Sequence, residues 1–172
     1  MKLIPRLACR TVFAVVSLLS SGALLAQEAA PTPVPSAAKL DFGDFKSETL
    51  TTKAWKALAD KDYAGVEGYA GKCIEMFKAQ AVAMQKALTA PPATDDKEKV
   101  FANWALNDVG TCYYLLGQVR EKQGKMKEAV EAYKFLAENL SYAKTYDTKG
   151  WFWSPADTAK ERVKALEFDS LK

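Results

Sequence analysis

Two pairs of neighbouring carboxyl groups, Asp60 with Asp62 and Asp95 with Asp96, are the side chains of this sequence best suited to acid–base chemistry. Paired carboxyl groups serve as acid and base in glycoside hydrolysis. Both pairs stand at the ends of predicted helices, where aspartate commonly caps the helix and stays in solvent. The chain has no histidine, which removes imidazole catalysis and most zinc sites. We therefore predict a non-catalytic protein without cofactor or metal, and keep a carboxylate enzyme acting on glycans as the last of three alternatives.

Sulfur-containing side chains offer a second kind of chemistry. Cys73, Met76 and Met84 lie on neighbouring faces of a predicted helix and are soft ligands of the type that suits Cu(I), but such residues more commonly pack in a core. Cys73 and Cys112 are equally far from the middle of the turn sequence "PPAT", so they are level across a helical hairpin. We predict a disulfide between them in an oxidising compartment; two buried free thiols are the alternative.

The sequence "GWFW" at residues 150–153 places three aromatic side chains directly before a helix start. Ser154 suits the cap of that helix and Pro155 its first turn. Trp151, Phe152 and Trp153 can close the open apolar end of a helical array, or they can form a partly exposed platform for a peptide or a glycan. We expect the aromatic plug and keep the platform as the alternative.

The N-terminal segment has the composition of an export signal. The first ten residues include three basic ones, Lys2, Arg6 and Arg10. A run of sixteen uncharged residues follows and ends at Ala26. A basic start, an apolar run and a small residue at the cut are typical of a cleaved signal peptide. The run is short for a membrane span, which needs about 20 residues. We predict cleavage after Ala26 and a periplasmic or secreted protein.

Three segments follow from this composition: a signal peptide at 1–26, a Pro/Ala-rich tether at 27–46 and a helical domain at 47–172. The chain has 24 Lys and Arg against 21 Asp and Glu, and the signal contains three of the basic residues and no acidic one. The remaining charges balance, so no basic field favours binding to nucleic acid. No second apolar run of membrane length follows, so no integral membrane segment is expected after cleavage.

Apolar residues at helical spacing predict five helices and an all-α fold, with no alternating strand pattern. The second and third helices are long, and the prolines of "TAPPATDD" separate them into a central antiparallel hairpin. The predicted helices run from Ser47 to about Asp60, from Tyr63 to about Leu88, from Thr94 or Asp95 to Gly124, from about Lys127 to Asn139, and onward from Ser154.

The sequence "CYYLLGQVREKQGKMKEAVEAYKFL" resembles a tetratricopeptide repeat. Tyr113, Leu116 and Gly117 match the first part of that pattern, and Ala129 and Tyr133 match the second. Small residues at Gly117 and Ala129 allow the two helices to approach closely, and the large ones fill the space beside them. A weaker second copy, "TKAWKALADKDYAGVEGYAGKCIEMF", lies farther upstream than the 34-residue period of a regular array.

This resemblance implies a partner-binding surface on the first helix of each pair. It implies an exported binding or assembly module that holds another protein or peptide. A cell-envelope binder whose exposed tryptophans stack on glycan or peptidoglycan sugars is the second alternative. The implied groove residues are Thr51, Trp55 and Leu58 in the weaker copy and Thr111, Tyr114, Gln118, Glu121 and Lys122 in the better one.

Overall fold

The computed structural model of the protein describes residues 40–170, so the predicted signal peptide and most of the predicted tether lie outside it. The described part is all-α, as the sequence predicts, with a small β-hairpin inserted. None of the helices within it is long and apolar enough to cross a membrane. The elements are α1 (Ser47–Ala59), α2 (Tyr63–Ala87), α3 (Lys97–Ala102), α4 (Trp104–Lys122), α5 (Met126–Asn139), β1 (Thr145–Tyr146), β2 (Phe152–Trp153) and α6 (Pro155–Asp169).

Polar side chains cap three of these helices, at the predicted start for α2 and α6 and at Asp96, rather than the predicted Thr94 or Asp95, for α3. The Asp62 carboxylate accepts a hydrogen bond from the Gly65 amide of α2 (2.9 Å), and the Asp96 carboxylate accepts one from the Lys99 amide of α3 (3.1 Å). The Ser154 hydroxyl caps α6 in the same way. One member of each carboxylate pair is therefore a helix cap, the role that the sequence favours.

Ser47 is of a residue type that commonly caps helices, but it does not cap α1. Lys46 occupies the N-cap position without a side-chain hydrogen bond. Ser47 instead begins the helix, and its hydroxyl donates a hydrogen bond to the carboxyl group of Asp108 on α4. A carboxyl group between packed helices needs a hydrogen-bond donor, and Ser47 supplies it.

The third predicted helix is divided at Asn103 into α3 and α4. Asn103 has φ −92° and ψ 37°, and its side-chain amide donates to the Lys99 carbonyl (2.9 Å). The Asn107 amide donates to the Val100 carbonyl near the end of α3 (2.7 Å). Asparagine side chains that bond nearby carbonyls compete with the helix's own hydrogen bonds, and these two bonds accompany the end of α3.

Helix α4 is the centre of the fold and packs against α1, α2, α5 and α6. Gly117 of α4 lies against the buried ring of Tyr133 on α5, so close that a methyl group at Gly117 would come within 2.3 Å of that ring. The close approach expected at Gly117 is therefore present between these two helices. Leucine, valine and alanine side chains fill the core on both sides of α4.

The chain forms an antiparallel β-hairpin between α5 and α6 that the sequence did not predict. Thr145 of β1 pairs with Trp153 of β2, and Gly150, with φ 107°, lies in the turn. The hydroxyls of Thr145 and Thr111 are 2.8 Å apart, which fastens the hairpin to α4. Strands of two residues are too short for an alternating pattern, so no periodicity predicts them.

The first described residues contact the helical domain. A methyl group added at Gly68 of α2 would come within 2.0 Å of the Leu40 side chain, and the Phe42 ring lies edge-on to Tyr69 at 5.9 Å. Phe42 is also packed against the core. The last residues of the predicted tether therefore pack on α2 before α1 begins.

Candidate functional site

A groove with a volume of about 710 Å³ lies among residues of α1, α3, α4 and the β-hairpin. We call it the aromatic groove, because Trp55, Phe101, Trp104, Tyr146 and Phe152 line it. Its volume is within the range of sites that hold a small ligand, and a few residues of an extended peptide have a similar size.

Helices α1 and α4 each bring a tryptophan, a carboxyl group and a threonine to the groove. On α1 these are Trp55, Glu48 and Thr51. Side chains three, four and seven residues apart lie on one face of a helix, so each set forms a single stripe. The corresponding stripe on α4 is Trp104, Asp108 and Thr111.

The aromatic side chains of the groove contact one another at its rim. Phe101 is 53% exposed, and its ring meets Phe152 at 5.5 Å and Tyr146 at 6.1 Å, both edge to face. Trp104 is 39% exposed and packs edge to face on Phe77 of α2 (5.5 Å). Edge-to-face contacts hold such rings in defined orientations, so the rim is formed in advance of any ligand.

Most polar groups in the floor of the groove are already hydrogen-bonded within the protein. The Thr111 hydroxyl donates to the Asn107 carbonyl (2.8 Å) and contacts Thr145. The Asn107 side chain accepts from the Lys144 amide (2.9 Å) in addition to its bond with Val100. These groups position α3, α4 and the hairpin, and they leave little hydrogen-bonding capacity for a ligand.

Asp108 is the most strongly perturbed acid of the groove. Burial between α1 and α4 raises its pKa from 3.8 to about 6, although the hydrogen bond from Ser47 acts in the opposite direction. The charge of Glu48 adds to the increase. A carboxyl group with this pKa changes charge near neutral pH.

The two cysteines predicted to form a disulfide lie together beneath the groove. Both are fully buried and both are free thiols in this structure. The Thr51 hydroxyl is 3.4 Å from the Cys112 sulfur and 3.9 Å from the Cys73 sulfur. Burial raises the pKa of Cys112 well above its ordinary value, and the neighbouring Cys73 raises it further. The oxidised state of the pair remains a prediction.

The two methionines that the sequence offered as an alternative set of sulfur ligands with Cys73 lie apart from it. Met76 is exposed, whereas Cys73 is buried, and Met84 packs against the core. No group of three or more cysteine or carboxylate side chains in residues 40–170 is arranged to hold a metal ion.

The structure divides the predicted partner groove in two. Thr51, Trp55 and Thr111 line the aromatic groove, with both threonines buried in its floor. The remaining predicted residues of α4 line a separate, smaller cleft of about 300 Å³, and Leu58 packs against the core. These residues of the smaller cleft are Tyr114, Gln118, Glu121 and Lys122.

An ion pair forms part of the wall of the smaller cleft. Arg162 of α6 pairs with Glu121, and the Tyr133 hydroxyl donates to the same carboxylate (2.6 Å). The Glu121 pKa is lowered by these bonds, against the opposing effect of burial. Helix α6 therefore occupies the face of α4 that the sequence assigned to a partner.

Tyr114 and the "GWFW" residues differ from their predicted roles. Tyr114, expected to face a partner, is partly buried and packs edge to face on Trp153 (5.0 Å). Trp151, expected in the plug, is 51% exposed, with Lys149 over its ring at 5.9 Å. Phe152 lines the aromatic groove. The exposure of Trp151 does not fit the plug prediction. Trp151 lies outside β2, directly after Gly150 in the turn of the hairpin, and its side chain stays in solvent.

Sequence reasoning missed several residues of the aromatic groove: Glu48, Phe101, Trp104, Asp108, Lys144 and Tyr146. A signal was present for Trp104 and Asp108 on α4 and for Glu48 on α1. Trp104 and Asp108 are four residues apart and Thr111 follows three later, and the same kinds of side chain recur on α1. Two polar–aromatic stripes on neighbouring helices indicate a shared groove only when those helices pack side by side.

Comparison with known proteins adds no identification. No protein-family model matches the chain, and no similar chain was found among curated proteins or among solved structures.

Proposed function

We propose that this protein is an exported, non-catalytic binding module that holds a segment of another protein in the aromatic groove. The observation that supports this proposal is the groove itself. Its rim exposes Phe101, Trp104 and Tyr146 beside the partly buried Trp55. Tryptophan and tyrosine are enriched among the residues that dominate binding energy at protein interfaces.

The arrangement of the rim favours a ligand that buries aromatic surface. Three of the large hydrophobic side chains exposed in residues 40–170 lie at this one groove. Exposed apolar side chains that cluster on a rigid support are typical of interaction sites, whereas scattered ones are not. The hydrogen bonds of Asn107 and Thr111 keep that support rigid, which lowers the entropic cost of binding.

Site-specific photo-crosslinking tests this proposal. A photoreactive phenylalanine analogue at Thr52, an exposed lining residue, should yield adducts with a discrete protein in cells that export the chain. The same analogue at Glu131, which is exposed on α5 away from the groove, is the matched control. Adducts of equal yield from both positions, or none from position 52, would contradict the proposal.

The removal of one anchor tests the same site independently. Trp55→Ala should reduce the adduct yield from position 52 by about tenfold, the loss expected for one hot-spot side chain of 1–3 kcal/mol. Circular dichroism of this variant should retain the helical signal, because Trp55 lies at the groove and is only partly buried. An unchanged yield would exclude Trp55 from the binding surface.

A glycan-binding role is the second candidate, and the exposure of Trp151 favours it. A tryptophan that is 51% exposed offers a flat apolar face of the kind that stacks on a sugar ring. Co-sedimentation with purified peptidoglycan, lost in Trp151→Ala, would support this candidate. Release of soluble sugar that is lost in Asp108→Asn would instead favour a carboxylate enzyme.

A further inference from the structure

We infer that the segment held in the aromatic groove inserts a cationic side chain, arginine or lysine, between the two tryptophans and against the carboxyl groups of Glu48 and Asp108. This inference rests on the proposed function and specifies the chemistry of the partner. A groove that is only aromatic would accept many apolar segments, and the charges decide between them.

The first step is the supply of free acceptors. The Glu48 side chain is exposed at the groove and makes no hydrogen bond or ion pair with another residue in the range 40–170. Asp108 is bonded there through its Oδ2 atom to Ser47. The floor groups Asn107 and Thr111, by contrast, bond to the protein itself. Glu48 and the second oxygen of Asp108 are therefore carboxyl acceptors that can meet a ligand; an ionised carboxylate attracts a cation and only accepts hydrogen bonds.

The second step is the local charge. The lining includes two acidic side chains and one basic side chain, Lys144. The pKa of Asp157 on α6 is lowered by its hydrogen bond with Lys160 and also by the charge of Lys144. Lys144 therefore lies near a carboxylate outside the groove, and its charge is partly balanced there. Neither Glu48 nor Asp108 forms an ion pair with any residue in the range 40–170, Lys144 included.

The third step is the aromatic surface beside these charges. A guanidinium or ammonium group is attracted to the face of an aromatic ring, and tryptophan is the strongest such ring. Trp55 and Trp104 line the groove together with the two carboxyl groups. The rim already holds one cation in this way, because the Lys97 ammonium lies 5.4 Å from the centre of the Tyr146 ring. A cation with carboxylates and indole rings around it satisfies both kinds of group.

A pair of synthetic peptides tests the inference on the complete mature chain. The probes are an acetylated, amidated Ala-Leu-Arg-Leu-Ala peptide and the same peptide with citrulline, which has the shape of arginine without its charge. NMR titration of the ¹⁵N-labelled protein reports binding through the indole N–H signals of Trp55 and Trp104. The arginine peptide should bind about tenfold more tightly than the citrulline peptide, a difference of about 1.4 kcal/mol.

Glu48→Gln is the decisive variant, because Glu48 is exposed and the fold does not depend on it. The preference for arginine should fall to about threefold or less in Glu48→Gln. It should stay unchanged in Glu131→Gln, which removes an exposed carboxylate of α5 outside the groove. Equal binding of the two peptides, binding of neither, or an undiminished preference for arginine in Glu48→Gln would each overturn the inference.

The outcome is separable from that of the proposed function. Protein adducts from position 52 combined with equal binding of both peptides would overturn the cation inference and leave the binding module standing. A preference for arginine that depends on Glu48, without any adduct from position 52, would contradict the protein partner and support a groove selective for cations.

Discussion

Asp108 lines the aromatic groove, and its ionisation there lowers the stability of the fold. Its carboxyl group lies between α1 and α4, and burial is the main cause of its raised pKa of about 6. An acid whose pKa is higher in the folded than in the unfolded chain binds a proton more tightly in the folded state. Stability then decreases as pH rises from about 4 through 6, and the ionised carboxylate destabilises the fold above that range. Such a cost is common where a charged group serves binding.

The substitution Asp108→Asn should remove this pH dependence. For a shift from 3.8 to about 6, the free energy of unfolding of the unmodified protein should be about 1.4 kcal/mol lower at pH 7.5 than at pH 5 on account of this group. Urea denaturation of both proteins at both pH values measures it, with Glu131→Gln as the control for loss of a carboxylate. The variant should gain stability relative to the original at pH 7.5. If the difference in unfolding free energy between the two proteins is the same at both pH values, Asp108 is not a buried carboxyl group that ionises between them.

The helices differ in how closely their bounds can be predicted from the sequence. Asp62, Gly124 and the prolines after α2 act locally, so the bounds of α1, α2 and α5 follow the predictions closely. The break at Asn103 depends on side-chain bonds that a periodic apolar pattern does not reveal. The β-hairpin depends on a contact between Thr111 and Thr145, which are far apart in the chain.

The residues of the candidate site also divide into those that a local pattern predicts and those that depend on contacts between distant parts of the chain. Thr51, Trp55 and Thr111 were predicted because a repeat pattern assigns them to the exposed face of a first helix, and they line one groove. The pattern fails at Tyr114 and Glu121, since α6 and the hairpin cover that part of α4. No local signal in α4 indicates which later segment will pack on it, so this part of the site required the tertiary structure.

The packing of α4 on α5 can be tested with two glycines. Gly117→Ala places a methyl group within 2.3 Å of the Tyr133 ring, which is buried and held by a hydrogen bond to Glu121. We expect a loss of about 1–3 kcal/mol in the free energy of unfolding. Gly71→Ala on α2 meets no atom within 4 Å and should stabilise the helix by about 0.5–1 kcal/mol. Urea denaturation that moved both variants in the same direction would disprove the close approach.

The whole molecule brings three helices together at one buried point beneath the groove. Thr51 of α1 lies between Cys73 of α2 and Cys112 of α4, and its other neighbours form the groove floor. A bond between the two sulfurs would therefore join α2 to α4 directly behind the binding surface. If the predicted export signal at residues 1–26 is used, this core folds in an oxidising compartment, where such a bond can form.

The last prediction is that export determines the state of these cysteines. Protein collected after export should start near Gln27 and, when denatured and alkylated without reductant, should leave both Cys73 and Cys112 unmodified. The same chain made in the cytoplasm without residues 1–26 should be alkylated at both. Because burial keeps the Cys112 thiol protonated in the fold, and the thiolate is the reactive form, oxidation should accompany folding. The bridge should add about 2–4 kcal/mol to the stability of the exported protein. Two alkylated thiols in the exported protein would refute the disulfide, and mass spectrometry distinguishes the two results by the mass of each cysteine peptide.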